Sequence, residues 1–515
     1  MAAPTSQKLE GLPFTSSPQG SLFPPSVSDL PVIPPEHHSR TLVLCFDGTG
    51  EQFEADNSNV VQFFSLLHKG DHTKQLVYYQ PGIGTYESPQ IATPLMAKLS
   101  MVIDEAIAWN LHAHVMGGYE FLMENYTTGD RICIFGFSRG AYTARSLAGM
   151  IHKVGLLPAC NFQQIPFAYK MYTRNDEIGW KQSNAFKKTF SIDVDIEFIG
   201  VWDTVNSVGV IPKRLPFTTS NTIVRTFRHA LSLDERRAKF KANLWNRPTA
   251  RESVLSYTDQ KIQDDKLKTG NHAHAHENGS KMSQKALERK WSKEVRKPTD
   301  IEEVWFAGCH CDVGGGSVDN ETTTNLARIP LRWMVRQCFK TETGIMFNTE
   351  GLRSIGLDPT SLFPLVKPRP PALPVGGSGI RPIPMPTPKS KTVDEPDEPT
   401  PANAPNVQLQ LRKTEEELDL EDALSPLYDA LSLPFYWPWW ILEFLPIRQR
   451  YQRGDNKWMT YLGWNMGRGR FIPKQKTLGV KVHRSVKMRL EALHEDGRKY
   501  EPRAKFDLTR TTWVD

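Results

Sequence analysis

Five short apolar segments, each rich in β-branched residues and each followed by a tight turn of Gly, Asp or Ser, recur along this chain of 515 residues. Near-continuous apolar runs of this length are typical of strands buried on both faces of a parallel sheet. Segments with helical periodicity separate them, such as the run between Ser138 and Gly155. This alternation predicts an α/β fold, α/β-hydrolase-like, with a mostly parallel sheet and helices on both faces. The five segments are residues 41–50, 75–85, 131–140, 195–209 and 302–316.

Polar stretches interrupt this pattern and set the predicted domain boundaries. Residues 1–40 are rich in Pro and Ser and predict a disordered leader, whereas residues 41–355 form the predicted α/β domain. The polar segment at about 250–298 and the Pro-rich segment 356–410 lack the apolar surface that would offset their ordering entropy, so we expect flexible insertions. Residues 411–515 are rich in helical and aromatic segments, and we expect them to pack on the α/β domain or to cap it.

Charge and cysteine content exclude several classes of protein. A formal charge of +6 is too dilute to indicate a nucleic-acid-binding protein. Six cysteines exclude a disulfide-dense secreted scaffold, and Cys45 and Cys133 lie in apolar runs, as buried thiols do in a reducing compartment. The sequence shows neither a secretory signal nor an uncharged apolar run of about 18 residues, so we expect a cytoplasmic protein without a transmembrane helix.

The sequence contains one G-x-S-x-G motif, G-F-S-R-G at residues 136–140. A predicted strand precedes it and a predicted helix begins directly after Ser138, which places the serine on a sharp turn with its hydroxyl exposed above the sheet. The alternative is an ordinary glycine-flanked turn between a strand and a helix. The context favours Ser138 as a nucleophile.

A serine hydroxyl becomes a good nucleophile only when a base removes its proton and an acid orients that base. In α/β-hydrolases the acid and then the histidine follow the serine along the chain. His310 is the predicted base because it lies between a predicted strand and a glycine-rich loop, and Asp203 is the predicted acid because it ends the preceding predicted strand. Asp312 and Asp319 are competing acids, of which Asp312 could instead order the loop. The histidines that we consider less suitable are His112, His114, His272, His274 and His276.

The oxyanion that forms during ester cleavage requires N–H donors near the serine. We predict that the N–H of Arg139, directly after the nucleophile, and an N–H from the loop at Gly48 supply them. Asp47, Thr49 and Asp312 are expected to support the loops of the site rather than to react.

Several segments together resemble the uncharacterised α/β-hydrolase-domain family of fungi and bacteria that includes the type VI secretion phospholipase effectors. They cover roughly residues 41–350. The resemblance implies a catalytic triad of Ser138, Asp203 and His310 and, for some bacterial members, phospholipase A activity on membrane lipids. The matching segments are LCFDGTG with Asn57 and Asn59, YYQPGIGT, GDRICIFGFSRGAYTAR, FIGVWDTVNSVG, the helix-like HALSLDERR (229–237) and VWFAGCHCDVGGG.

These features predict a serine hydrolase that cleaves carboxylic esters through an acyl-enzyme, most like a lipase or phospholipase, without a cofactor or a metal. The alternatives are a general esterase of soluble esters and a non-catalytic adaptor on a hydrolase scaffold. Cys309 and Cys311 depart from the family, but a metal site there is disfavoured because alternate residues of a strand face opposite ways. A phosphatase built on Asp47 lacks its nucleophile because position 45 is Cys. No nucleotide-binding glycine motif follows any predicted strand.

The segment 431–450 is dense in aromatic residues and contains three prolines, and Arg453 follows it. Rings beside basic residues suit a peripheral contact with a membrane, but packing as a lid on the hydrolase domain is the favoured alternative. Glu443 and the prolines argue against a spanning helix. The basic residues within 467–476 are expected to face solvent or anionic lipid. The expected partners are a lipid or another ester substrate and, through the Pro-rich insertion, proteins with aromatic-lined grooves, but no nucleic acid.

Overall fold

The computed structural model describes most of the chain, including every segment that forms the central sheet. The described ranges are 27–48, 53–82, 96–205, 215–245, 284, 287–288, 298–383, 413–432, 438–452 and 458–515.

Eight strands form one sheet in the order β12–β11–β7–β6–β5–β4–β2–β3, and every neighbouring pair is parallel. The prediction of an α/β fold with a mostly parallel sheet is therefore confirmed. The strands of this sheet are β2 (Thr41–Phe46), β3 (Gln75–Gln80), β4 (Arg131–Phe137), β5 (Ile196–Trp202), β6 (Val224–Ser232), β7 (Asp300–Phe306), β11 (Val480–His483) and β12 (Thr511–Val514).

Two short antiparallel sheets complete the described strands. In the first, β1 (Val32–Ile33) pairs with β8 (Phe347–Asn348), and in the second, β9 (Ile447–Gln452) pairs with β10 (Trp458–Gly463). The first pairing ties the chain just before β2 to the end of the hydrolase-like region.

Helices cover both faces of the sheet because its central strands are apolar on both sides. Alternate residues of β2 enter separate cores, with Leu42 and Leu44 in one and Val43 and Cys45 in the other. The helices are α1 (Asn59–Leu66), α2 (Met96–Asn125), α3 (Ser138–Val154), α4 (Ile165–Thr173), α5 (Glu177–Phe190), α6 (His310–Gly314), α7 (Arg328–Lys340), α8 (Thr349–Ser354), α9 (Glu415–Ala423), α10 (Pro438–Glu443), α11 (Gln475–Leu478) and α12 (Arg484–Glu491).

The strand order reverses next to β2, which lies between β3 and β4. The connection after β2 therefore leads to one side, and the chain then returns to the other side with β4. In open α/β sheets ligands bind in the crevice at the carboxyl ends of the strands where the order reverses. The turn after β4 begins with Ser138, and the loop after β2 begins with Asp47, so both lie at this crevice.

The C-terminal region contributes to the main sheet itself. Strand β11 lies parallel to β7, with Val482 paired with Trp305, and β12 forms the sheet edge beyond it. The sequence predicts that residues 411–515 pack on the domain or cap it. It does not predict β11, a strand of four residues that includes Lys481 and carries no clear apolar run. The segment 229–237, interpreted from the sequence as helix-like, is instead the end of β6 and the turn that follows, so that interpretation is wrong.

Parts of the predicted leader and insertions lie within the described residues. Residues 27–40 include β1, and within 356–383 the side chains of Leu357, Leu362 and Ile380 are buried. Residues 1–26, most of 250–298 and 384–410 lie outside the described residues. Among the described residues, no helix combines the length and hydropathy that crossing a bilayer requires.

Candidate active site

The turn between β4 and α3 holds Ser138 in a backbone conformation that side chains rarely adopt, with φ of 56°. Two glycines make this turn possible. A Cβ at Gly136 would lie 2.6 Å from the carbonyl oxygen of Gly140, and a Cβ at Gly140 would lie 2.3 Å from the carbonyl oxygen of Phe46. Only glycine allows α3 to approach β2 and β4 this closely. The G-x-S-x-G spacing is thus a packing requirement, and it leaves the serine at the crevice.

A continuous hydrogen-bonded chain links the three residues predicted as the triad. The Oγ of Ser138 lies 2.7 Å from Nε2 of His310, and Nδ1 of His310 lies 2.5 Å from Oδ2 of Asp203. The three side chains come from the ends of β4, β5 and β7 and are all buried. The structure therefore brings these residues together although 172 positions separate the serine from the histidine.

The imidazole of His310 is held by aromatic rings as well as by hydrogen bonds. The ring of Phe137 lies 4.6 Å from it, centroid to centroid, and the ring of Phe240 meets it edge-on at 4.9 Å. Burial lowers the pKa of His310 below its usual value, and its bond to Asp203 only partly opposes this effect. The imidazole is therefore neutral near pH 7, which is the form that can accept a proton.

Asp203 directly follows β5 and, like the serine, has a positive φ, of 38°. Its carboxylate accepts the main-chain N–H of Ser232 at 3.0 Å and two guanidinium N–H groups of Arg470. Burial alone would raise the pKa of Asp203, but the charge of Arg470 and the bond to His310 outweigh it and hold that pKa well below its usual range. The Asp203 carboxylate is therefore ionised in the folded protein near neutral pH.

The loop after β2 is fixed by the side chain of Asp47. Its Oδ1 accepts from the Ser58 hydroxyl at 2.6 Å and from the Gly48 N–H at 2.8 Å, and its Oδ2 accepts from the Tyr79 hydroxyl at 2.8 Å. Burial raises the pKa of Asp47 despite these bonds. The Gly48 N–H thus already has an acceptor within the loop. Thr49, expected to support the same loop, lies outside the described residues.

The two other acids considered for the triad do not contact the imidazole. Asp312 lies in α6, where its Oδ2 accepts the main-chain N–H of Cys309 at 2.8 Å and that of Tyr428 at 3.0 Å. Burial raises the pKa of Asp312 to about 7. Asp319 is exposed. Asp312 therefore orders the loop that carries the histidine, which is the second role considered for it.

Cys309, His310 and Cys311 do not alternate along a strand, as the sequence had indicated, because His310 begins the helix α6. The Cys309 thiol is buried, and burial raises its pKa well above the usual value, so the sulfur stays protonated. In the part of the chain that the structure describes, no three His, Cys, Asp or Glu side chains gather closely enough to hold a metal ion.

Sequence reasoning missed Arg470. The basic run 467–476 was expected to face solvent or lipid, but the Arg470 side chain is only 2% exposed, so for this residue the expectation is wrong. An arginine in a run of basic and glycine residues carries no local signal of burial, because the carboxylate that it meets lies 267 positions earlier.

Comparison with known proteins shows which family this chain resembles in sequence. The model of the type VI secretion system (T6SS) phospholipase effector Tle1-like catalytic domain matches residues 40–337. The chain belongs to this family. The resemblance inferred from its motifs is thereby confirmed, and membership indicates a hydrolase of the lipase or phospholipase type.

The individual proteins that this Tle1-like chain matches share less than a third of its residues. The uncharacterized protein YEL023C of Saccharomyces cerevisiae is 29% identical over 590 residues, which cover 95% of this chain and 84% of the yeast protein. An uncharacterized protein from Pseudomonas aeruginosa of known structure is 17% identical, with a TM-score of 0.33, over 63% of this chain and 50% of that protein. The Tle1 effector bound to the VgrG spike of the type 6 secretion system is 16% identical, with a TM-score of 0.26, over 54% and 51%. The chain thus spans about half the length of these two solved proteins.

Proposed function

We propose that this chain is a serine hydrolase of carboxylic esters, with Ser138 as nucleophile, His310 as general base and Asp203 as the acid that orients it. The observation that carries the proposal is the hydrogen-bonded chain from the serine through the imidazole to the carboxylate, starting at a strained strand-to-helix turn. A buried imidazole with a lowered pKa, hydrogen-bonded to a hydroxyl, suits general-base catalysis at neutral pH.

In the proposed reaction, Nε2 of His310 takes the proton as the Ser138 oxygen attacks the ester carbon. Asp203 holds the imidazole through Nδ1 and stabilises the imidazolium that forms. The imidazolium then protonates the leaving alcohol, and a water molecule, activated by the same imidazole, releases the acid from the acyl-enzyme. The proton of Ser138 thus leaves on the alcohol, and a proton from the water molecule restores the Ser138 hydroxyl through His310.

The oxyanion is proposed to bind at the start of α3. The N–H of Arg139 belongs to the first turn of that helix, where the helix dipole favours negative charge. The second donor is proposed to come from the loop that begins at Gly48. Because the Gly48 N–H donates to Asp47, that amide must exchange or share this bond when it binds the oxyanion.

We further propose that the ester is a lipid and that the enzyme reaches this substrate at a membrane surface. Trp439 of α10 packs against Phe240 at 5.4 Å, and Phe240 packs against His310, so the aromatic segment 431–450 borders the site. The same segment leaves large apolar side chains exposed. They are Ile441, Phe444 and Leu445. A chain that buries one aromatic face at the site and exposes another suits a peripheral contact with lipid, and the family to which the chain belongs is one of phospholipase effectors.

Replacing Ser138 with Ala tests the chemical proposal. We expect Ser138→Ala to lose labelling by a fluorophosphonate probe and to lower ester turnover by at least about 10⁴-fold, because the nucleophile is gone while the fold remains. Ser146→Ala is the matched control, since Ser146 lies on the same helix, is buried and donates to the Tyr142 carbonyl at 2.7 Å rather than to the triad. Labelling of Ser138→Ala at the wild-type rate would contradict the assignment.

A substrate profile of the wild-type protein tests the lipid proposal. Short soluble esters, long-chain esters and phospholipid vesicles are compared at equal ester concentration. We expect vesicles to be cleaved fastest. Activity confined to short soluble esters would identify a general esterase, and no turnover of any ester, with a labelled serine, would identify a substrate of another class.

A further inference from the structure

We infer that Arg470 is a positioning residue for the catalytic acid, which it fixes and keeps charged. The inference rests on the proposed function, because it concerns the triad itself. Nη1 of Arg470 lies 2.5 Å from Oδ1 of Asp203, and Nη2 lies 2.8 Å from Oδ2, so the guanidinium holds the carboxylate through both oxygens. Such bidentate pairs fix the plane of the carboxylate as well as its position.

The guanidinium is itself fixed by the main chain. Its Nε donates to the carbonyl oxygen of Phe240 at 3.0 Å, Nη2 donates to the same oxygen at 2.7 Å, and Nη1 donates to that of Ser232 at 3.2 Å. Together with the two bonds to Asp203, these contacts engage all five N–H donors that an arginine has. A lysine could keep the charge but not this set of bonds.

The position of the carboxylate matters because Oδ2 serves two partners. This oxygen accepts from Arg470 and also lies 2.5 Å from Nδ1 of His310. Rotation of the carboxylate would therefore turn the imidazole away from Ser138. Arg470 thus acts on the nucleophile through two intervening side chains, without touching the reacting atoms.

The charge of Arg470 matters because aspartate and histidine share one buried site. A cation beside the pair lowers its affinity for a proton, so the ionised acid and the neutral base coexist at neutral pH. A second buried ion pair beside the triad is internally balanced: Glu235, whose Oε2 accepts the main-chain N–H of His310 at 3.3 Å, bonds Arg237 at 2.8 Å. The other titratable and charged groups that interact with the triad are His229, which faces Asp203, and Glu235 and Arg237, which face His310. Lys241 faces Arg470, and Cys309 and Cys311 face Arg237.

Arg470 lies outside residues 40–337, which the family model matches. The C-terminal segment carries it into the site: Phe471 forms a parallel bridge with Lys505, and the N–H of Ala504 donates to the carbonyl of Leu233, just after β6, at 2.8 Å. The C-terminal region therefore completes the site as well as the sheet.

The experiment measures how fast a fluorophosphonate probe labels Ser138 at pH values from about 5 to about 9. It uses the full chain and needs no knowledge of the natural ester. For Arg470→Met we expect labelling at pH 7 to fall about 100-fold and the acid limb of the profile to move up by about one pH unit or more, since the pair now holds its proton more tightly. For Arg470→Lys we expect an acid limb near that of the wild type and a rate about tenfold lower, because charge remains and geometry is lost.

Arg484→Met is the matched control. Arg484 is also a buried arginine of the C-terminal region, with a side chain 9% exposed, but it bonds the Pro370 carbonyl and Glu416 rather than the triad. We expect it to keep the wild-type acid limb. A merely structural role for Arg470 would lower labelling equally at every pH.

Two results would overturn the inference: a folded Arg470→Met protein with the wild-type acid limb, or an Arg470→Lys protein labelled at the wild-type rate. The second result decides the matter if Arg470→Met shows no cooperative melting. Labelling that persists in Ser138→Ala would instead remove the proposed function. The two failures are therefore distinguishable.

Discussion

At the scale of single residues, the buried carboxyl of Asp312 makes stability depend on pH. Burial raises its pKa from 3.8 to about 7 in the folded protein. Between these values the folded state binds more protons than the unfolded state, so the free energy of unfolding falls as the pH rises from about 4 to about 7. In Asp312→Asn the amide oxygen can accept the hydrogen bonds that Oδ2 accepts from the main-chain N–H groups of Cys309 and Tyr428. We therefore expect urea unfolding of this variant to lose that part of the decline, on the order of a few kcal/mol.

The control for this prediction is Asp319→Asn, because Asp319 lies in the same loop region but is exposed. We expect it to reproduce the wild-type dependence. An Asp312→Asn protein whose unfolding free energy declines with pH as steeply as that of the wild type would show that the charge of Asp312 does not cost stability.

The residues of the candidate site differ in how far the sequence reveals them. Ser138, Asp203 and His310 could be proposed because their chemistry, their chain order and their places after apolar runs agree with one another. Arg470 could not, because its burial depends on a contact with a carboxylate from another part of the fold. Local patterns identify residues at the ends of strands, whereas partners brought in by tertiary packing carry no such pattern.

At the scale of elements, a buried ion cluster joins α9 to α7. Nη2 of Arg332 lies 2.7 Å from Asp419 and 2.6 Å from Asp422, and all three side chains are at most 1% exposed. Removing the cation would leave two buried carboxylates without their main partner. We therefore expect Arg332→Met to lower the free energy of unfolding by about 3–5 kcal/mol, measured by urea denaturation.

Lys487→Met provides the comparison, because Lys487 forms an exposed pair with Glu491 at 3.9 Å on α12. Such surface pairs contribute little, so we expect a change below about 0.5 kcal/mol. A loss of less than about 1 kcal/mol in Arg332→Met would mean that the other cations beside the two carboxylates balance their charge. These are Arg328, Arg369 and Arg484.

Elements with strong local patterns were predictable and short ones were not. Strands β2, β3, β4 and β5 each lie within a predicted apolar run, β7 begins two residues before the run that it overlaps, and α3 follows the predicted helical pattern. In contrast, β6 has the sequence VRTFRHALS, in which two arginines interrupt the apolar run, so its end was taken for a helix. Strands β11 and β12 have four residues each, and β11 owes its burial to the sheet that it joins, whereas β12 at the edge stays partly exposed.

At the scale of the whole molecule, segments from distant parts of the sequence meet at one edge of the main sheet. In the sheet, β11 and β12 lie next to β7, but in the sequence more than 170 positions separate the end of β7 from the start of β11. The Pro-rich stretch, here residues 386–410 of the Pro-rich segment 356–410, lies within this long connection. It separates two segments that contact each other: the N–H of Arg381 donates to the carbonyl of Leu424, at the end of α9, at 2.9 Å. The polypeptide on both sides of the stretch is thus anchored independently of it.

This arrangement predicts that the Pro-rich stretch can be shortened without loss of the fold or the site. Helix α9 has nine residues and spans about 14 Å, so its start lies about that far from the anchor at Arg381. We expect a protein in which a Gly/Ser linker of about ten residues replaces residues 386–410 to melt within about 2 °C of the wild type and to be labelled at Ser138 at the same rate, because a segment with so little apolar surface cannot offset its ordering entropy. The contrasting variant ends after Gly479 and so lacks β11 and β12; we expect it to lose cooperative melting, since the edge of β7 would be left unpaired. Slower labelling in the linker variant would instead assign the Pro-rich stretch a part in building the site.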